Sequence, residues 1–357
     1  MELRHIGISL GNIGALHDGL GEFALQIGQR VAAVAPLWRE QHGVAFDFHL
    51  RDKLGGLYGP AVGYLPVHRW QRLRHVQPRR YALWHSLHQL NKNRPPVGTG
   101  QRLVTVHDLN YLYERHAFSR WRRHRRMQAL MSRSDQLVAI SHHTADDVKQ
   151  HLNWPGDITV IYNGARSFVA SPKQALPGWS DESPQPFLFH LSRMSPSKNP
   201  QAIIELARVW PEMTFVLCGP PSDEAQKLKA TVHLPNLQFH LGISEAQKAW
   251  AYASCTGFLF PSLTEGFGLP PIEAMHFGKP VFLARRTCLP EIGGAAADYF
   301  DSFEPMQMKQ VVQQGLLRHA QPGRALAIMQ HAAQFDWDHA AQAYLNLYWR
   351  LLQLQPG

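Results

Sequence analysis

Two glutamates and a glycine-containing loop in the last third of the sequence have types and spacing suited to ligand chemistry. The segment reads PSLTEGFGLPPIEAMHFGKP from Pro261 to Pro280, with seven residues between Glu265 and Glu273. Bare N–H groups in a glycine loop at a helix start bind anions such as phosphate. Carboxylates do not bind phosphate, so we expect the two glutamates to bind hydroxyls. Phosphate together with hydroxyls suggests a nucleotide sugar; the alternative is that both glutamates only cap the loop and helix.

The flanking sequence predicts the elements that position this loop. Thr256 to Phe260 is an apolar run typical of a short buried strand. Pro270 and Pro271 predict the first turn of a helix, and Gly278 predicts its end. Strand, glycine loop and helix start form one βα unit of an α/β fold.

Other polar residues follow predicted strands elsewhere in the chain. Gly19 and Gly21 follow the apolar run Ile6 to Leu10, and His107 ends the segment RLVTVHD. In open α/β sheets, ligands bind at the carboxyl ends of strands. A Gly-x-Gly turn lets a ligand approach the backbone closely, and a histidine there can contact a hydroxyl, a phosphate or a sugar. An ordinary βα turn and a histidine held by a loop carbonyl are the alternatives.

The alternation of predicted strands and helices is interrupted once, and this interruption divides the chain into two predicted domains. The segment SFVASPKQALPGWSDESPQP is rich in Pro and Ser and predicts a linker. After it the strand Phe187 to Leu191 leads into the loop SRMSPSKNP, which carries Arg193 and Lys198. We therefore predict an α/β protein with Rossmann-like parallel-sheet domains at residues 1–170 and 171–335, facing a central cleft. Residues 336–357 are predicted to form a C-terminal helix that packs back on the first domain.

The composition of the sequence indicates the cellular compartment and argues against a metal site. The 357 residues carry a formal net charge of +9, and the three cysteines are scattered. The sequence has no apolar run long enough to span a membrane and no signal-peptide pattern, so we expect a cytoplasmic protein. We predict no metal site: capping is the favoured role of Asp336 or Asp338, and His85 and His88 are expected to be hydrogen-bonded rather than metal-bound.

Two stretches concentrate the positive charge. They run from Arg69 to Arg80 and from Arg115 to Arg126. One interpretation is a solvated helix face; the other is a patch for an anionic acceptor or for the anionic inner membrane. Nucleic acid is not expected as a partner, because no recognition motif accompanies the charge.

The motifs together resemble a known family. The segment from Pro261 to Val281 is similar to the signature of retaining glycosyltransferases of family four, which have the GT-B fold, and Glu265 and Glu273 match its E-x7-E motif. The other similar segments, in the family's order, are DGLGEF, TVHDL, VAISHHTADDV, VIYNGA, LSRMSPSKNP, CLPEIGGAAADYFD and FDWDHAAQAYLNLY. Residues 31–100 match poorly. The tail and the VHDL segment look most like bacterial mannosyltransferases of surface-polysaccharide assembly.

The resemblance implies a role for each candidate residue. Glu273 would bind the ribose hydroxyls of a nucleoside diphosphate sugar, and Glu265 the hydroxyls of the transferred sugar. Arg193 and Lys198 would neutralise the leaving diphosphate, a role that a metal has in other transferases. The remaining donor-site residues implied are His107 beside the sugar, Gly19 and Gly21 near the diphosphate or acceptor, and the backbone of Gly266, Phe267, Gly268 and Leu269.

The implied reaction transfers a hexose, with mannose from GDP-mannose as the expected donor, to a lipid-linked or polysaccharide acceptor. The anomeric configuration would be retained, by front-face attack or by double displacement, without a cofactor or metal. We expect the protein in the cytoplasm, at the inner membrane face. Two alternatives remain open: a nucleotide-sugar epimerase or hydrolase on a related fold, and a non-catalytic polyanion-binding protein that uses the arginine-rich helix.

Overall fold

The computed structural model describes residues 3–14, 16, 18–113, 117–180 and 185–354. The chain forms two compact units. The first comprises Met1–Gly164 and Asp336–Gly357, and the second comprises Ala165–Phe335. The first unit thus ends at Gly164, before the predicted boundary at residue 170. Parts of the predicted linker (181–184) and of the predicted tail (355–357) lie outside the described residues.

The first unit is built on a seven-stranded sheet in which all paired strands are parallel. Its strands are β1 (Arg4–Ser9), β2 (Val44–Leu50), β3 (Gly63–Pro66), β4 (Leu83–Ser86), β5 (Gln101–Val106), β6 (Gln136–Ala139) and β7 (Ile158–Val160). They lie in the order β3-β2-β1-β4-β5-β6-β7. The order reverses between β1 and β4, so the loops after these two strands diverge and leave room for a ligand.

Four helices flank this sheet in the described part of the first unit. They are α1 (Gly19–His42), α2 (Ala117–Met131), α3 (His142–Leu152) and α11 (Trp337–Leu351). Asp18 caps α1 by accepting a hydrogen bond from the N–H of Gly21, and Gly43 ends the helix in the left-handed region. Ser141 caps α3, and the predicted cap of the last helix is confirmed: Asp336 accepts hydrogen bonds from the N–H groups of Asp338 and His339.

The C-terminal helix α11 packs on the first unit through aromatic residues. It lies against α1, and the side chains of Tyr344 and Tyr348 are fully buried. His85 is hydrogen-bonded to the Tyr348 hydroxyl at 2.6 Å and to the Thr105 hydroxyl at 2.8 Å. His85 is therefore a hydrogen-bonded core histidine, as expected, and the same holds for His88, whose Nε2 lies 3.1 Å from the carbonyl oxygen of Leu10.

The second unit repeats the same architecture with six parallel strands. They are β8 (Phe187–Leu191), β9 (Thr214–Gly219), β10 (Leu237–Leu241), β11 (Gly257–Phe260), β12 (Val281–Ala284) and β13 (Asp298–Phe300), in the order β10-β9-β8-β11-β12-β13. The helices are α4 (Pro200–Val209), α5 (Asp223–Thr231), α6 (Glu245–Ser254), α7 (Leu269–His276), α8 (Leu289–Gly293), α9 (Pro305–His319) and α10 (Arg324–Ala332). This is the doubly wound order, and its reversal lies between β8 and β11.

Buried neutral histidines make the stability of the fold sensitive to acid. Burial lowers the pKa of His49, His88 and His190 to about 4, and that of His85 and His107 to about 3. The folded state therefore disfavours protonation, whereas the unfolded chain binds protons below a pKa of about 6.5. Stability from this source is complete above pH 6.5 and declines as the pH falls toward 4.

We expect the urea midpoint of unfolding to be clearly lower at pH 5 than at pH 7.5. Each such histidine can lose up to about 2 kcal/mol over this range, at about 1.4 kcal/mol per pKa unit. Replacing the exposed His233 by glutamine serves as a control and should leave the pH dependence unchanged. Equal midpoints at the two pH values would contradict this account of the core.

Candidate functional site

The strand order of the second unit brings Lys198 and Glu265 together. β8 and β11 are neighbours in the sheet, so the loops that follow them lie side by side at its carboxyl edge. The N–H of Leu263 donates to the carbonyl of Ser197 at 2.7 Å, which ties the two loops to each other. Lys198 Nζ donates to Glu265 Oε1 at 2.5 Å, and their side chains are 18% and 10% exposed. The result is a mostly buried cation–carboxylate pair with one side open to solvent.

Lys198 is positioned by a short turn. It ends a 3-10 turn (Pro196–Lys198) in which its N–H donates to the carbonyl of Ser195, and the next residue, Asn199, is left-handed with a φ of 53°. Its ammonium also lies 5.8 Å from the centre of the Phe260 ring, at the end of β11. These contacts fix the ammonium at the edge of the sheet.

The backbone of the Glu265 loop is held by two residues that sequence reasoning did not single out. The N–H of Glu265 donates to the hydroxyl of Thr287 at 3.2 Å. Cys288 Sγ donates to the carbonyls of Glu265 and Phe267 at 3.4 and 3.2 Å. Burial, followed by the nearby Glu265 carboxylate, raises the pKa of the Cys288 thiol well above its usual range, so this donor stays protonated. Both residues lie in or beside the CLPEIGG segment, which was matched only as a family resemblance.

Gly268 and the prolines start helix α7 as expected. Gly268 is the residue before the helix, with a φ of 101°, and prolines occupy the first helical turn. The positive φ favours glycine, and a Cβ there would lie 3.0 Å from Leu289 Cδ2. The side chain of Phe267 is buried against the ring of Phe335, so only the backbone of this part of the loop is suited to ligand contact. Leu269 is the first residue of the helix.

Glu273 lies on α7 and is held by a tyrosine from α6. The hydroxyl of Tyr252 donates to Glu273 Oε2 at 2.7 Å. Tyr252 is fully buried, and burial followed by the Glu273 charge raises the pKa of its hydroxyl well above its usual range. Tyr252 therefore keeps its proton and orients the carboxylate. No motif marked Tyr252 in the sequence.

Arg193 is an exposed side chain on the same loop as Lys198. Its carbonyl accepts a hydrogen bond from Ser222 Oγ at 3.1 Å, which anchors the backbone. The preceding Ser192 Oγ lies 2.7 Å from His190 Nε2, while His190 Nδ1 lies 2.8 Å from the carbonyl oxygen of Leu259. The loop that carries Arg193 is thus fixed at its base while the guanidinium remains accessible.

In the first unit, the two glycines differ in their environment. Gly19 is exposed, and a Cβ added to it would meet no atom within 4 Å. Gly21 is buried, and its N–H already donates to Asp18 Oδ1 at 2.8 Å. A ligand could therefore approach the backbone of Gly19 closely. The N–H of Gly21 is not available to a ligand, because it already donates to Asp18.

His107 is held by a loop carbonyl. Its Nε2 lies 2.8 Å from the carbonyl oxygen of Leu87, and its backbone N–H donates to Gln89 Oε1 at 3.0 Å. Burial lowers the pKa of His107 to about 3, so the ring is neutral near pH 7. Because Nε2 must carry the proton in order to donate to the carbonyl, Nδ1 is an acceptor. The ring can therefore accept a hydrogen bond from a hydroxyl, but Nε2 cannot donate one to a phosphate. Of the contacts expected from the sequence, the structure favours the hydroxyl over the phosphate.

A cavity of about 430 Å³ opens at the point where the strand order of the first unit reverses. It is lined by residues after β1, β2 and β4, among them Asp18, Arg51, Lys53 and His88. Two cations and a capping carboxylate at the carboxyl edge of a parallel sheet suit a polar ligand that carries negative charge.

Within the described residues, no three His, Cys, Asp or Glu side chains cluster in a way that could hold a metal ion. Across these residues no helix combines the length and the apolar character that crossing a bilayer would need.

Comparisons with known proteins agree with this architecture. The family described as "Glycosyltransferase Family 4" matches residues 28–166, and the family described as "Glycosyl transferases group 1" matches residues 178–300. The first of these matches lies almost entirely in the first unit, and the second lies in the second unit. A solved sucrose-phosphate synthase from Thermosynechococcus elongatus has the same fold, with a TM-score of 0.75, 16% identity and coverage of 98% of this chain and 99% of that one.

Curated relatives match a smaller part of the chain than the solved structure does. The serotype-specific mannosyltransferase WbdA of Escherichia coli is 26% identical over 254 residues, which is 63% of this chain and 30% of WbdA. The O-antigen chain mannosyltransferase B of Escherichia coli is 26% identical over 235 residues, covering 59% of this chain and 60% of that protein. The matched region thus spans between about a third and three fifths of the length of these relatives.

The two matched families, the two parallel-sheet units and the GT-B structural neighbour give one assignment. The chain is a glycosyltransferase with the GT-B fold; its residues 28–166 match the family-four model and its residues 178–300 match the group 1 model.

Proposed function

We propose that this protein transfers a hexose from a nucleoside diphosphate sugar to a glycan or lipid-linked acceptor. The observation that carries the proposal is the Lys198–Glu265 pair beside the N-terminus of α7. A cation, a carboxylate and a helix start form a set that can bind the phosphate and hydroxyl groups of one ligand.

Each group of the second unit has a role in the proposed donor complex. Glu273, oriented by Tyr252, binds the ribose hydroxyls, and Glu265 binds hydroxyls of the transferred sugar. The backbone of Gly266 to Leu269 faces phosphate and sugar oxygens at the positive end of α7. Arg193 and Lys198 neutralise the diphosphate as it leaves, so we propose that the reaction needs no metal or other cofactor.

The proposed reaction retains the anomeric configuration. The bond between the anomeric carbon and the diphosphate oxygen breaks, and the acceptor hydroxyl attacks the same face. The leaving phosphate takes the acceptor proton, and Lys198 and Arg193 stabilise its charge. His107 accepts a hydrogen bond from a sugar hydroxyl through Nδ1. A double displacement is the alternative and differs by forming a covalent glycosyl-enzyme intermediate.

We propose mannose from GDP-mannose as the donor, which the low-identity mannosyltransferase relatives support. Those relatives also support a surface polysaccharide or its lipid-linked precursor as the acceptor. The cavity lined by Arg51 and Lys53 suits an acceptor with a negatively charged group. We place the protein in the cytoplasm, at the inner face of the membrane.

Exposed apolar residues among arginines support contact with an anionic membrane surface. Phe118 and Trp121 are 74% and 58% exposed on the arginine-rich helix α2. Exposed aromatic residues combined with positive charge are typical of surfaces that bind the headgroup region. Arg115, the first residue of this basic stretch, lies outside the described residues.

A thermal-shift panel of nucleotide sugars tests the donor site. A ligand at about 100 times its dissociation constant adds about 2.7 kcal/mol of stability, so we expect GDP-mannose to raise Tm visibly. Glu273→Gln should lose most of this shift because the ribose hydroxyls lose a charged acceptor, whereas the control Glu205→Gln, on the exposed face of α4, should keep it. A shift with a UDP-sugar and none with GDP-mannose would overturn the donor, and an unaffected Glu273→Gln would overturn the site.

Analysis of the products after incubation with donor alone, together with the thermal-shift panel, separates the alternatives. Rapid formation of an epimer, or release of free sugar at the full rate with donor alone, would favour the epimerase or hydrolase. Tight binding of nucleic acid without any nucleotide-sugar shift would favour a polyanion-binding protein.

A further inference from the structure

A second cavity, of about 180 Å³, lies in the first unit beside β4 and β5. It is bounded by the beginning of β5, the C-terminal half of α2 and the segment that follows β4. The donor-site residues proposed above do not line it. Its cationic lining residues are Arg72, Lys92, Arg94, Arg102, Arg126 and Arg133, and none of its lining residues, all of which the structure describes, is acidic.

Among the residues that the structure describes, little of the positive charge of this cavity is compensated. Arg102 pairs with Asp135 at 3.0 Å. In the described ranges, none of the other five cations forms an ion pair. Arg126 lies close enough to Arg72 that, after burial, the charge of Arg72 is the next cause of its lowered pKa. Like charges brought together in this way are stabilised by an anion.

In the part of the chain that the structure describes, two buried polar atoms on residues that line the cavity lack hydrogen-bond partners. Trp84 is 1% exposed and Asn93 is 8% exposed, and both line the cavity. Trp84 Nε1 and Asn93 Oδ1 have no hydrogen-bond partner in the described structure. An indole N–H only donates, and rotation of the amide would present a second donor. An unmet buried donor costs stability until an acceptor reaches it.

A hydrogen-bond network preorganises this part of the cavity. Asn91 Nδ2 donates to Ser9 Oγ at 2.8 Å, and Asn91 Oδ1 accepts from the N–H of Asn93 at 3.0 Å. The main chain of Arg94 is held at both ends, because its N–H donates to the carbonyl of Gln71 and its carbonyl bonds to His75 Nδ1. The cavity therefore keeps its shape without a ligand.

We propose that this cavity binds a phosphate group, as a monoester or an inorganic anion. Several guanidinium groups around buried N–H donors match the tetrahedral oxygens of phosphate. The volume is below the 300–1,000 Å³ usual for drug-sized ligands, so it suits a headgroup rather than a whole nucleotide sugar. Trp70 and Leu73 flank Arg72 and are 65% and 68% exposed. This exposed apolar rim favours the phosphate headgroup of a lipid over free phosphate.

The first arm of the test uses soluble probes on the full chain. In the ¹⁵N spectrum of the indole groups, the Trp84 signal is identified by its absence in Trp84→Phe. We expect it to shift with glycerol 1-phosphate, and also with inorganic phosphate if the anion alone suffices. Arg126→Gln should weaken binding about tenfold through loss of a charge-assisted hydrogen bond. Arg39→Gln, an exposed arginine on α1 outside the cavity lining and outside α2, should change it less than twofold.

The second arm measures cosedimentation with phosphatidylcholine vesicles with or without phosphatidic acid. Binding that requires phosphatidic acid and is lost in Arg126→Gln but not in Arg39→Gln supports the lipid source. Binding of the soluble phosphates without binding to vesicles supports the proposed phosphate site, with free phosphate rather than a lipid as its ligand. An unmoved Trp84 signal, or equal losses in both arginine variants, would overturn the proposal. The GDP-mannose thermal shift should be the same in all these variants, which separates failure here from failure of the proposed function.

Discussion

Replacing Lys198 by methionine is expected to lower kcat for sugar transfer by about 100-fold or more, with a smaller change in KM. In the proposed reaction the ammonium stabilises charge that develops on the diphosphate only as the bond to the sugar breaks, and removal of one such donor typically costs ~10²–10³ in kcat. Methionine preserves length and apolar contact with the Phe260 ring while removing the charge.

Two controls separate chemistry from folding in this variant. Lys227→Met removes an exposed cation from α5 and should keep the wild-type kcat. Lys198→Met should still show a GDP-mannose thermal shift, because Glu273 and the α7 backbone remain. A Lys198→Met enzyme with full kcat would remove Lys198 from the catalytic residues.

Glu265→Gln is expected to reduce kcat/KM by about 100-fold. The carboxylate is nearly buried beside Lys198, so its loss removes the proposed hydrogen bonds to sugar hydroxyls and leaves the ammonium without its partner. Steady-state kinetics of the single variants and of Lys198→Met combined with Glu265→Gln measure the coupling. Because the two residues act as one unit, we expect the double variant to be little worse than the poorer single variant.

Glu205→Gln is the matched control for this loss of charge, because Glu205 is an exposed carboxylate on α4 that pairs with Arg208. Its kcat/KM should equal that of the wild type. Strictly multiplicative losses in the double variant would show that Lys198 and Glu265 act independently, against the geometry described above.

The local features of the loop that carries Glu265 and leads into α7 could be predicted from the sequence. Proline and glycine have strong positional preferences, so Pro270 and Gly268 predicted the start of α7. Glu265 and Glu273 followed from their spacing and from the family signature. Each of these inferences needs only residues close together in the chain.

The contact between Lys198 and Glu265 could not be predicted from residue patterns. Both were placed after strands, but their meeting depends on β8 and β11 being neighbours, and strand order is a property of the whole sheet. Tyr252, Thr287 and Cys288 were missed for the same reason, because their contacts join distant segments. Gly21 shows a different limit: the Gly-x-Gly pattern does not reveal that Asp18 uses its N–H.

The elements of residues 31–100, which match the family poorly, could not be predicted strand by strand because they are short or atypical. Helix α1 continues through Pro36 to His42, although proline in a helix interior usually ends the pattern. The strands β3 and β4 have four residues each, too few for a clear alternation. The polar network of Ser9, Gln71, His75 and Asn91 replaces the apolar periodicity on which such predictions rest.

The central claim is the transfer of a hexose from a nucleotide sugar, and radiolabelled donor tests it most directly. Purified protein is incubated with GDP-[¹⁴C]mannose and membranes of its own organism, in the presence of EDTA. Our account predicts label in lipid-extractable or polymeric product for the wild type, at least tenfold less for Lys198→Met, and no loss from chelation. Label that stays entirely on the nucleotide across GDP- and UDP-sugars would contradict it.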